Sequence, residues 1–294
     1  MIKYYDRKTK SINTEDVAGS KSLNLIYYNH IGKKFLPAIA SRKIYSDIYG
    51  HLCDLPISRH FIKSFINKFN IDLTEYEKKV NGYSSFNDFF YRKLSGKRPI
   101  DKDINHFISP CDSKLLAVEN ISEDLTFNIK GFTYNLKDLV KNDSISNSYK
   151  NGTCLIFRLA PTDYHRFHFV DSGKCSKSHS VKGRYYSVNP IALETIENVF
   201  CENKREYSIQ QSDNFGELLY IEVGATFVGS IIETYDSSKP VNRFQEKGYF
   251  KFGGSTVIIF VKSNILKLDD DILLHSSSGI ETKVLAGEKI GVRI

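Results

Sequence analysis

The chain has 294 residues, 41% of them hydrophobic and 13% aromatic, with 20 Phe, 18 Tyr and no Trp. Such a composition folds around a core, which excludes a disordered or fibrous chain, and no apolar run reaches the ~18 residues that a membrane-spanning helix requires. The formal charge of +7 is concentrated early, since residues 1–100 carry 18 Lys and Arg against 9 Asp and Glu.

The opening stretch "MIKYYDRKTKSINTED" is polar and holds no apolar core of signal-peptide length. From about residue 20 to residue 95 the apolar spacing is helical. In "RHFIKSFINKFN", Phe61, Ile62, Phe65, Ile66 and Phe69 fall on one stripe with Lys63, Ser64, Asn67 and Lys68 opposite. That predicts an amphipathic helix, able to pack on its own protein or to lie on a bilayer surface. The runs "FLPAIASRKIYSDIYGHL" (35–52) and "SFNDFFYRKL" (85–94) read the same way, and Gly96 and Pro99 close the helical part. Beyond about residue 105 the pattern becomes short β-branched and aromatic runs between Gly, Asn, Asp and Ser turns. These are "TCLIFRLA" (153–160), "ELLYIEVGATFVGSII" (217–232), "STVIIFVK" (255–262) and "KVLAGEKIGVRI" (283–294), interrupted by one helical piece, "PIALETIENVF" (190–200). The expected fold class is α+β: amphipathic helices in residues 1–104, then an antiparallel-rich, sandwich- or barrel-like β domain in residues 105–294.

Five scattered cysteines, Cys53, Cys111, Cys154, Cys175 and Cys201, include no C-x-x-C pair, so reduced thiols are expected and neither a zinc site nor a disulfide framework. Three places carry residues that could do chemistry. Asp112 lies in "ISPCDSKLL", a turn entering a strand. His165 and His168 lie in "RLAPTDYHRFHFVDSG", with no third ligand at metal-binding spacing, so no metal is expected. In "FKFGGSTVIIF" (250–260), Gly253, Gly254 and Ser255 separate two apolar runs. They make a turn or bulge there, or they expose the Gly254–Ser255 peptide bond to attack by the Ser255 hydroxyl. An acid, a histidine and a serine are what nucleophilic catalysis uses, and the sequence alone does not bring the three together.

The chain resembles phosphatidylserine decarboxylase proenzymes over nearly its whole length. The matching pieces are "FNDFFYRKLSGKRPI" (86–100), "ISPCDSKLL" (108–116), "KGFTYNLKDLV" (130–140), "PTDYHRFHF" (161–169), "VNPIALETIENVFCENKRE" (188–206), "ELLYIEVGATFVGSI" (217–231) and "KGYFKFGGSTVIIF" (247–260). The resemblance implies that the chain cuts itself between Gly254 and Ser255 into a β chain, 1–254, and an α chain, 255–294, which stay together as a heterodimer. It implies His168 as general base oriented by Asp112, Ser255 as nucleophile, and His165 in decarboxylation or substrate holding. Ser255 would become a covalent pyruvoyl group that forms a Schiff base with the amine of phosphatidylserine and yields phosphatidylethanolamine. The basic, amphipathic N-terminal part then reads as the contact with an anionic membrane, peripheral and on the cytoplasmic side.

The chain departs from the family's usual pattern at Ser113, where many members have Gly, at Phe169-Val170, where many have a Pro, and at Gly253, where Leu is common. None of these removes a reacting atom. Two rival readings stay open: a pyruvoyl decarboxylase of a soluble amino acid, and a non-catalytic β-rich module on membrane surfaces. No nucleic-acid partner is expected, because no binding motif accompanies the charge.

Overall fold

The computed structural model describes residues 2–15, 43–188, 190–224, 231–253 and 255–294. The strand Ser255–Val261 is a β-branched and aromatic run, and every residue in it is buried. A strand covered on both faces has no use for alternation, which is why this stretch reads as continuously apolar. It pairs antiparallel with Gly216–Val223 on one side and with Thr153–Leu159 on the other. These three are the middle of an eleven-stranded, mostly antiparallel sheet. Beyond Thr153–Leu159 the sheet continues through Ser113–Val118, Glu281–Val284, Lys3–Asp6 and Ser11–Thr14; beyond Gly216–Val223 it continues through Arg205–Ser212, Gly173–Cys175 and Pro240–Val241.

Each face of this sheet carries its own core. Ile258 and Phe260 point into a cluster closed by the hairpin Thr126–Ile129/Phe132–Asn135 and the short helices that follow it. Val257, Ile259 and Val261 point into the other cluster. That second core is covered by two small sheets, Ile231–Glu233/Glu246–Phe250/Arg166–His168 and Leu266–Leu268/Lys289–Arg293/His106–Ile108. The result is an α+β fold dominated by antiparallel sheet.

The N-terminal residues depart from the helical reading. Lys3–Asp6 and Ser11–Thr14 form a hairpin, and Lys3–Asp6 pairs parallel with Glu281–Val284. Strands of four residues are too short to give a periodic signal, and this pair is held by charge: Arg7 binds Asp269, Asp271 and Glu288, and Glu15 reaches the buried Arg158. The helices Lys43–Asp54 and His60–Phe69 are present, and residues 35–42 of the first predicted helix lie outside the described residues.

The stripe of the second helix is divided. Ile62, Phe65 and Ile66 face the short helix Phe86–Phe90, whereas Phe61 is 67% exposed. Phe61 stands about 100° around the axis from Ile62, past the edge of the packed face. The helix predicted over 85–94 stops at Phe90, and Leu94 instead bridges Tyr76. Likewise the helical piece at 190–200 is two turns, Pro190–Leu193 and Val199–Glu202, divided where Asn198 takes a left-handed φ of 56°.

Candidate active site

Ser255 opens the central strand opposite Leu159. Its side chain lies on the face of Val257 and Ile259, is 0% exposed, and its Oγ has no hydrogen-bond partner among the described residues. A buried hydroxyl left unsatisfied costs about 1–3 kcal/mol, so packing alone would favour another residue at this position. The approach to it is pinned from the helical part. Phe252 donates its N–H to Asn87 Oδ1 at 2.8 Å, Lys251 pairs with Asp54 at 2.9 Å, and the Phe252 ring packs on Phe86 and Phe90. Asn87 is held in turn by the Gly50 carbonyl and by Asp54. Gly253 adopts a φ of 144°, which suits glycine and few other residues. Gly254, the other half of the expected cleavage site, lies outside the described residues.

His165 immediately precedes the Arg166–His168 strand and His168 ends it. Their rings have different neighbours. His165 sits against Phe90, ring centroids 3.8 Å apart, at the end of a loop knitted by Asp163. The Asp163 carboxylate accepts the Ala160 N–H and pairs with Lys114, and its backbone carbonyl takes His165 Nδ1 at 2.9 Å. That bond fixes the neutral tautomer with the proton on Nδ1 and the lone pair on Nε2, and Nε2 is buried without a partner among the described residues. Burial, helped by the Arg92 and Lys114 cations, pushes this imidazole down to about 3.

His168 stacks on Phe244 at 4.2 Å and on Tyr164 at 5.8 Å. Its Nδ1 faces the Pro110 carbonyl at 3.3 Å and its Nε2 the Tyr164 hydroxyl at 3.5 Å. Burial again dominates, with Arg166 and Arg98 adding to it, and lowers this imidazole to about 4.

Asp112 is 6% exposed in the turn that follows Pro110. Its Oδ1 accepts the Ala286 N–H at 2.8 Å, and Arg98 grips both of its oxygens. Arg98 also pairs with Glu75 and lies 5.9 Å from the centre of the Tyr164 ring. Burial raises the Asp112 carboxyl above its ordinary value in spite of Arg98. Asp112 and His168 therefore meet through the Pro110–Asp112 turn, whose Pro110 carbonyl accepts the His168 N–H at 2.9 Å, and through Arg98 and Tyr164. Arg98 holds the carboxylate that the sequence reading directs at the imidazole, and Ser255 Oγ bonds to neither histidine.

The phosphatidylserine decarboxylase family model matches residues 86–292. The phosphatidylserine decarboxylase proenzyme of Clostridium tetani is 54% identical over 292 residues, covering 99% of this chain and 98% of the relative. Those of Desulfitobacterium hafniense strain Y51 and of Clostridium botulinum strain Hall are 54% and 52% identical over 294 residues, with at least 99% of each chain covered. The chain belongs to the phosphatidylserine decarboxylase family. The relatives' name, proenzyme, fits a chain made as a precursor. Around these candidate residues, sequence reasoning did not single out Arg98, Tyr164, Asn87, Lys114 or Asp163. Each lies within or beside a motif quoted for the resemblance, and that proximity was the only signal available for them.

Proposed function

We propose that this decarboxylase matures by cutting its own Gly254–Ser255 bond and that Ser255 becomes the pyruvoyl group with which it converts phosphatidylserine to phosphatidylethanolamine. The observation that carries the reading is the Ser255 hydroxyl, fully buried and unpartnered at the mouth of the central strand. His168, unprotonated at neutral pH because it is buried, is the base that accepts the hydroxyl proton. Asp112 positions it through the turn they share. Ser255 Oγ bonds to the Gly254 carbonyl carbon, the peptide C–N bond breaks, and the proton passes to the new amine, leaving an ester. Loss of the Ser255 Cα proton expels the Gly254 carboxylate, and the resulting dehydroalanine takes up water and releases ammonia.

The group so formed fits its surroundings, since it stays anchored through Thr256 to a strand buried along its whole length. It supplies a carbonyl that captures the substrate amine, and a neighbouring carbonyl that accepts the electron pair left behind by CO2. His165 Nε2, the unpartnered nitrogen, is the atom through which a proton reaches the substrate carbon. The two chains hold together because Ser255–Val261 is paired on both sides by strands of the large chain, and Glu281–Val284 lies between two more.

The lipid surface is met by the helical part, where Ile48 and Leu52 on one helix and Ile57 and Phe61 beside the next are each more than 50% exposed, near Arg59, Lys63 and Lys68. No helix among the described residues is long and apolar enough to cross a membrane, and the association proposed is peripheral.

Intact mass under denaturing conditions tests the maturation. Two chains are expected, the smaller starting at position 255 and lighter than its serine form by one ammonia, together with CO2 release from phosphatidylserine vesicles. A single full-length mass after incubation with vesicles would overturn it.

A further inference from the structure

Arg92 is 2% exposed, and among the described residues no carboxylate lies within ion-pair distance of its guanidinium. Its bonds are all long: 3.5 Å to the Phe89 and Phe90 carbonyls, 3.4 Å to the Tyr76 hydroxyl, 3.2 Å to the Thr162 carbonyl and 3.4 Å to the Asp163 carbonyl. Nε has no partner among the described residues. The flat face of the group covers Tyr76 at 4.3 Å and Phe89 at 5.0 Å, which orients it without neutralising it.

The other buried cations are provided for. Arg98, Lys114, Arg158, Arg166 and Lys247 each face at least one carboxylate. Arg205 also has no carboxylate within ion-pair distance among the described residues, yet it makes four bonds of 2.5–2.8 Å to the carbonyls of Asp138, Leu139, Cys201 and Asn203. Arg205 thus shows what a purely structural guanidinium looks like in this fold, and Arg92 does not match it. A buried positive charge that is loosely held and short of an anion is costly until one arrives.

Its position says which anion. The Asp163 carbonyl accepts from both Arg92 Nη2 and His165 Nδ1, so the guanidinium and the imidazole converge on a single oxygen. His165 in turn rests on Phe90, whose ring also meets that of Phe252, three residues before Ser255, in a T-shaped contact. In the substrate headgroup the carbon that receives the proton and the phosphorus are three bonds apart, the scale on which these two side chains meet. The headgroup carries two anions. A cation on the carboxylate would stabilise the ground state more than a transition state in which that charge is leaving. The phosphodiester keeps its charge throughout, and the guanidinium fork matches its oxygens.

Building on the decarboxylase reading above, we propose that Arg92 binds the phosphodiester of the substrate headgroup beside His165 and so selects phosphoserine-type headgroups over serine itself. The test uses the full chain, Arg92→Gln and Arg92→Lys, with turnover of phosphatidylserine vesicles and two competitors: glycerophosphoserine, which has the phosphodiester, and O-methylserine, which lacks it. Arg92→Gln should cut itself as the wild type does, raise the KM for vesicles and weaken glycerophosphoserine about 10- to 100-fold while leaving O-methylserine unchanged, with Arg92→Lys between. Equal losses for both competitors, no loss for either, or blocked self-cleavage in Arg92→Gln and Arg92→Lys would each overturn the assignment. A wild type that neither cuts itself nor releases CO2 would instead refute the decarboxylase reading, so the two failures are distinguishable.

Discussion

Lowering the pH from 7.5 to 5.0 is expected to weaken the folded chain through His165 and His168 specifically. Both are held neutral by burial, with values of about 3 and about 4, whereas an unfolded histidine titrates near ~6.5. A group whose value is depressed by folding leaves stability intact above its unfolded value and removes it as the pH falls toward the folded one. At pH 5.0 the unfolded imidazoles are almost fully protonated and the folded ones are not. The gap of about 1.5 pH units corresponds to about 2 kcal/mol for each histidine, or about 4 kcal/mol for the two. The assay is urea unfolding of Ser255→Ala, which lacks the hydroxyl that the proposed self-cleavage uses, at both pH values and with His165→Gln or His168→Gln added. Each glutamine should lower stability at pH 7.5 and remove about 2 kcal/mol of the difference between the two pH values. If that difference is the same with and without the histidines, neither is held neutral, and the argument for two unprotonated imidazoles fails with it. The same burial predicts a self-cleavage rate that stays level from pH 8 down to about 5.

Asp112→Ala should cost about 3–5 kcal/mol in urea unfolding, because Arg98 would remain buried with only the half-exposed Glu75, while Glu75→Gln should cost under about 1 kcal/mol. Gly248→Ala should destabilise by more than about 2 kcal/mol, since a Cβ there would stand 2.3 Å from the Ile232 carbonyl oxygen and 2.7 Å from Phe167 Cζ; a melting temperature unchanged by the substitution would contradict this packing. Phe61→Glu and Ile57→Glu remove exposed apolar groups, so stability should hold within about 0.5 kcal/mol while sedimentation with anionic vesicles falls about tenfold or more for each. Unaltered vesicle binding would place the membrane contact elsewhere.

The division between sequence and structure follows the range of the interactions involved. Ser255–Val261 and Thr153–Leu159 were legible because β-branched runs and flanking turns are local signals, and Gly253 with Ser255 was legible because positive-φ glycines punctuate such runs. The helix His60–Phe69 was legible too, but which of its apolar residues face inward was decided by the Phe86–Phe90 helix packed on it, and Phe61 was left outside. The N-terminal hairpin carried no periodicity, because its place depends on Glu281–Val284, hundreds of residues away. The candidate site divides in the same way. A sequence can name an aspartate, two histidines and a serine, but charge partners in a low-dielectric interior are assigned by register and by packing between distant segments. Thus Asp112 belongs to Arg98 and Ala286, Asp163 bonds to Lys114 and His165, and Arg92 is left, among the described residues, without a carboxylate. Composition and spacing determined the residue types and the strands that bear them; the tertiary structure decided which polar groups are satisfied, and Ser255 Oγ, His165 Nε2 and Arg92 Nε are among the buried atoms it leaves without a partner within the described residues.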